Sequence, residues 1–193
     1  MNFYNSYDAA FFFGLIFGPV LVTVIFFFYL RNLRDLLSAV REPNRKMQPN
    51  QVWLIMLNPF NSLLRMIPYY FGIRSDVYII GTTVVVYLIA IFIVFWHFRI
   101  VRGVAESIEA EYDSRSIPIE YRPTSQQGNF MAVFAAMTLL SEVPYVSGIG
   151  KLASLAFLIA MIVYWVKTAR FKKEILAMDK FQDEESIIFK DIV

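Results

Sequence analysis

The chain has 193 residues, 58% of them hydrophobic and 18% charged, against roughly 25% charged in an average soluble domain. Its formal net charge of +2 is too small to mark a nucleic-acid binder, and the absence of cysteine excludes disulfides, thiolate metal sites and cysteine nucleophiles. Apolar residues gather in long runs with the charges between them, which points to a single integral membrane domain over 1–193.

The first run, 9–30, is interrupted only by Gly14, Gly18, Pro19 and Thr23. At about 1.5 Å per residue it is long enough to cross a hydrocarbon core of roughly 30 Å. Residues 1–8 carry no Lys or Arg, so it reads as a retained anchor rather than a cleaved signal. Beyond it Leu33, Leu36, Leu37 and Val40 recur at helical spacing until Pro43, so helix is expected to continue into 31–51.

The second run, 52–73, contains Asn58, Pro59, Asn61, Ser62, Arg65 and Pro68. Each proline removes a helical donor, so this segment is expected to be broken and shielded by protein, whether it crosses fully or re-enters. A polar turn at 72–76 leads to a third run, 77–98, rich in Val and Ile. The stretch 113–128, with Pro118 and Pro123, reads as loop. A fourth run, 130–146, holds Glu142 and Pro144, and a short turn at 147–151 joins it to the fifth, 152–166. The expected fold is all-α: a polytopic helical membrane protein with four to five membrane segments, one broken by proline.

Basic residues decide the expected topology, because Lys and Arg in short loops stay on the cytoplasmic side. Segments 31–51, 99–128 and 167–193 hold five, four and six of the 18 basic residues. They share one face only if 52–73 enters the membrane and 77–98 returns. The expected arrangement has an external N-terminus, cytoplasmic 31–51, 99–128 and 167–193 with helical extensions, and a cytoplasmic C-terminus.

The box Glu42-Pro43-Asn44-Arg45-Lys46-Met47-Gln48-Pro49-Asn50-Gln51-Val52-Trp53-Leu54, followed by Asn58-Pro59-Phe60-Asn61, resembles one in uncharacterised small bacterial multi-pass membrane proteins. Those carry Glu-x-Asn-Arg-x-Met-x-Pro-x-x-Val-Trp-Leu and then Ile-Pro-x-Phe-Asn. Phe95-Trp96-His97-Phe98, the stretch from Val104 to Glu111, and Tyr164-Trp165-Val166-Lys167 extend the likeness. The resemblance implies a bacterial inner-membrane location and a multi-pass architecture, and no activity. Here about thirty residues, 62–94, separate the Phe-Asn pair from the aromatic pair, where the family has only a few. A short re-entrant hairpin stretched into two passes accounts for the difference.

Ionisable and amide groups inside apolar runs are the candidate sites, since an Arg at mid-helix costs about 2.5 kcal/mol or more on insertion scales. Asn58, Asn61, Arg65 and Glu142 form a candidate intramembrane polar site, against the plainer reading of a kink and structural pairing. His97 is placed at the interface beside Arg99. Arg45, Lys46, Trp53 and Trp96 are candidate contacts for a partner or lipid headgroups, or parts of an interfacial turn. The carboxylates of 106–120 read as solvated, and no catalytic template fits, so no enzyme, cofactor or metal is expected. The expected function is that of an accessory or scaffolding subunit of a larger bacterial inner-membrane complex, with lipids and other membrane subunits as partners. The alternative is a small homo-oligomeric transporter, channel or lipid-binding protein.

Overall fold

The computed structural model describes residues 4–58, 60, 61, 64, 67, 71, 72, 75–117, 125–142 and 144–190, with side chains from 20 to 180 except at 142 and 144. Among the described residues all regular structure is helical and there is no strand. Its long α-helices are α1 (Tyr4–Ala39), α2 (Asp76–Ser114), α3 (Ser125–Met137) and α4 (Ser147–Lys190). Short 3-10 helices lie at Glu42–Asn44, Pro49–Met56, Thr138–Glu142 and Pro144–Val146. Two helical stretches, Asp76–Ser114 and Ser147–Lys180, are long and apolar enough to cross a membrane. Only 17% and 28% of their apolar windows are buried within the chain, so most of that apolar surface needs another cover.

Each helix end has a local cause. Asp76 in the first turn of α2 meets the positive end of the helix dipole. α1 stops at Ala39, and Arg41, at φ −58 and ψ 143, has left the helical region. α2 ends in a Schellman motif, in which the Ser116 amide donates to Asp113 O at 3.0 Å and the Ile117 amide to Tyr112 O at 3.1 Å. Ser116 takes the left-handed φ of 54° that glycine usually supplies.

Both ends of the loop expected over 113–128 are helical instead. Helix runs to Ser114, and α3 starts at Ser125. The turn expected at 147–151 is instead the start of α4, and the chain reverses within 138–146. Gly150 makes this possible: a Cβ there would run into the Ser141 backbone, so only glycine allows the two segments to come so close. In 52–73, Pro49–Met56 is 3-10, and Leu57, Asn58, Phe60, Asn61, Leu64 and Ile67 are helical. Pro59 and Pro68 lie outside the described residues. Gly72 turns the chain at a φ of 59°.

The chain divides into two compact units. The first takes the chain up to Leu30 together with Trp53–Ile93. In it Phe26, Tyr29 and Leu30 are buried, and the rings of Phe27 and Trp53 lie 5.4 Å apart. On α2, Val86, Ala90 and Ile93 form one buried face at helical spacing, while Ile80, Val84, Leu88 and Ile91 are exposed.

The second unit takes Arg31–Val52 and the chain from Val94 onward. Its buried stripes are Leu33, Leu36, Leu37 and Val40 on α1, and Ile100, Val101, Val104 and Ile108 on α2. Met131, Ala132 and Ala135 on α3, and Phe157, Met161 and Tyr164 on α4, complete it. Gly128 of α3 sits against the Val101 side chain, where a Cβ would clash. The positions expected from helical periodicity after the first run are the ones that are buried.

Candidate functional site

The second unit contains a ladder of polar contacts along one face of α2, at Trp96, Gly103, Ser107, Glu111 and Ser114. Their spacing of seven, four, four and three residues keeps them on one side of a helix of 3.6 residues per turn. The segment 41–51 runs against this face in the opposite direction. The Trp96 indole N–H donates to Gln51 O at 2.9 Å. Met47 packs on Gly103, where an added Cβ would stand 2.9 Å from Met47 Cβ. The Ser107 hydroxyl accepts from the Lys46 amide at 2.9 Å and donates to Gly103 O at 2.6 Å. Asn44 Nδ2 donates to Glu111 Oε2 and to Ser114 Oγ, both at 2.8 Å.

Arg45 does a different job. Its Nε donates to Leu37 O at 2.8 Å and its Nη2 to Val40 O at 3.0 Å and Ser38 O at 3.4 Å. Those carbonyls are among the ones a helix end leaves without an intrahelical partner, so the guanidinium caps α1. The segment 42–54 is thus a local device: Arg45 closes α1, and Asn44, Lys46, Met47 and Gln51 attach the following chain to α2.

Glu111 is the hub. Its side chain is fully buried and accepts from the Arg41 amide at 3.0 Å, Asn44 at 2.8 Å and Arg115 Nε at 2.8 Å. Arg115, with a side chain 3% exposed, bridges Glu111 and Asp179, each at 2.5 Å. Alongside, the Tyr112 hydroxyl donates to Glu174 Oε2 and Arg170 Nε to Glu174 Oε1, both at 2.8 Å. Tyr112 also meets the Phe171 ring edge-on at 6.1 Å. Nearer the apolar runs, buried Asn32 donates to Thr168 Oγ1 at 3.0 Å, and Lys172 stands 3.9 Å from Asp35. The basic segments that follow the first, third and fifth apolar runs are in this way bonded to one another.

Burial alone pushes the Glu111 carboxyl up, but donation from Asn44, Arg115 and the Arg41 amide, with the Arg115 charge, outweighs it and holds the group below its ordinary 4.5. Arg115 shows the same balance: burial lowers it, and Asp179 and Glu111 more than compensate, leaving it raised. The folded chain therefore binds Glu111's proton less readily than the unfolded chain does. Stability from this carboxylate is complete above about pH 4.5 and drains away as pH falls through the lower folded value. In detergent, the thermal midpoint is expected to be flat at neutral pH and to drop below pH 4.5. The drop is shallower in Glu111→Gln, and equal acid limbs for the two proteins contradict the assignment.

The expected site residues are placed as follows. Asn61 is 4% exposed, and its Nδ2 donates to Val86 O at 3.2 Å. Asn58 is half-buried, Arg65 lies outside the described residues, and Glu142 is described in its backbone only, within Thr138–Glu142. Trp53 packs on Phe27, and the Arg99 guanidinium lies over the Trp96 ring at 5.1 Å. Lys46 is exposed. His97 is 1% exposed and meets the Phe157 ring edge-on at 5.6 Å.

Sequence reasoning missed Glu111 by treating 106–120 as solvated. A signal was present, since Val101, Val104, Ile108 and Glu111 continue one helical stripe and Arg115 follows one turn later. A carboxylate on an apolar stripe marks a buried pair. No family model, curated protein or solved structure matches the chain.

Proposed function

We propose that the chain is an integral scaffolding subunit of a larger bacterial inner-membrane complex, not an enzyme, and needs no cofactor. It crosses the bilayer in four to five segments, with its N-terminus outside and its C-terminus in the cytoplasm. The observation that carries this reading is the Glu111–Arg115 hub with its extensions, which joins the chain after α1 to the far ends of α2 and α4. Segments bonded to one another occupy one side of a membrane, and these are the segments that hold most of the basic residues. Beyond them, the apolar faces of α2 and α4 remain uncovered by the chain itself, as expected for surfaces that meet lipid or other membrane subunits. A rigid polar head that orients such helices suits a scaffold.

Tagged at its native level and purified in mild detergent, the protein is expected to bring down a stoichiometric membrane partner. Migration as a lone species removes the scaffold reading. Reporter fusions at residue 45 and at the C-terminus are expected to report the same compartment, and opposite compartments overturn the topology.

One observation favours a second reading, a small transporter. Asn61 is buried, and its Oδ1 has no hydrogen-bond partner among the described residues, as a group awaiting a polar ligand would. Solute flux in proteoliposomes that is lost in Asn61→Leu supports that reading, and flux unchanged by the substitution removes it.

A further inference from the structure

One face of α4 carries a groove of about 560 Å³ lined by Ile162, Trp165, Val166, Ala169, Arg170 and Lys173. Small-molecule sites have volumes of roughly 300–1,000 Å³. Its upper part is apolar and exposed at Ile162 and Val166, and Trp165 and Ala169 are half-buried beside them. Its lower end changes character at Arg170 and Lys173, one to two turns beyond the apolar run. The shape matches an amphiphile with an apolar chain and an anionic head.

The cationic end is organised rather than loose. Arg170 gives its Nε to Glu174 Oε1, and the other oxygen of that carboxylate is held by the Tyr112 hydroxyl. Glu174 therefore positions the guanidinium through its Nε. It offsets part of the charge, but Lys172 and Lys173 lie on the next turn, with Asp35 facing Lys172 at 3.9 Å. The balance at the groove mouth remains positive.

We propose that this groove holds an anionic phospholipid, its phosphate on Arg170 and Lys173 and an acyl chain along Ile162, Trp165 and Val166. The inference rests on the reading that α4 crosses the bilayer. Each cation near a membrane surface favours an anionic lipid by about fivefold, and with Arg170 partly offset by Glu174 the pair gives roughly tenfold.

Trp165 is one of three tryptophans, and Trp53→Phe with Trp96→Phe makes it the sole fluorophore of the full chain. In phosphatidylcholine vesicles, brominated phosphatidylglycerol is expected to quench it at roughly tenfold lower fraction than brominated phosphatidylcholine. Arg170→Gln with Lys173→Gln removes that preference, and Lys180→Gln, outside the groove, keeps it. Equal quenching by both lipids overturns the lipid inference and leaves the bilayer crossing standing; no quenching by either overturns both. Because the Trp96 indole also ties α2 to Gln51, native mass spectrometry of the protein with all three tryptophans provides a second reading. Phosphatidylglycerol adducts are expected to survive in the parent and fall in the double glutamine variant, and undiminished adducts sink the proposal.

Discussion

Replacing Glu111 with leucine is expected to destabilise the folded chain by about 3–5 kcal/mol, the range for removing one partner of a buried ion pair. The cause is less the lost attraction than what remains. Arg115 stays 3% exposed with only Asp179 opposite, the Arg41 amide loses its side-chain acceptor, and Asn44 Nδ2 keeps only Ser114 Oγ. Each of these part-buried donors adds about 1 kcal/mol, and the uncompensated guanidinium accounts for the larger part. Glu111→Leu combined with Arg115→Met removes both charges, and buried pairs replaced by apolar groups are often neutral or better. The double variant is thus expected to recover most of the thermal midpoint in detergent. A double variant as unstable as Glu111→Leu alone shows that the damage lies elsewhere than in the orphaned guanidinium.

Gly150→Ala is expected to destabilise the α3–α4 hairpin by about 3 kcal/mol, the upper part of the usual range for overpacking. The new methyl meets the backbone of Leu140 and Ser141, which cannot rotate away as a side chain can. Gly148 is the internal control, two residues earlier in the same helix, where an added Cβ would meet nothing within 4 Å. There alanine removes unfolded-state freedom at no steric cost, so Gly148→Ala is expected to be neutral or stabilising by up to about 1 kcal/mol. Opposite signs in thermal unfolding are the expected result. Equal effects of the two substitutions reject the close approach at Ser141.

The two variants probe links of different legibility. Helical periodicity needs only neighbours along the chain, which is why the buried stripe Leu33, Leu36, Leu37 and Val40 is legible in the order of the residues alone. Helix boundaries are less so. Ser116 ends α2 in a left-handed conformation without the glycine that normally announces it, and Gly148 and Gly150, which suggest a turn, lie within α4. The candidate polar residues are those that stand inside apolar runs. That criterion finds Asn61, which is buried, and passes over Glu111, which stands outside the runs and is buried all the same.

Arg45 illustrates the same point. As a sequence feature it is a cation in a short polar turn and invites a partner or a headgroup, whereas in the fold its guanidinium lies on the last carbonyls of α1. Nothing in a linear pattern states which donor a helix end will recruit.

By itself the sequence determined the helical class, the long apolar stretches of α2 and α4, and the buried faces that follow from a 3.6-residue repeat. These depend on composition and on neighbours within a turn or two. Only the tertiary structure decided that Asn44, Glu111, Arg115 and Asp179 meet. Their partners lie 64 to 67 residues apart along the chain in the two longest links. The worth of a buried charge depends on donors brought by other helices, so it exists only once those helices have packed.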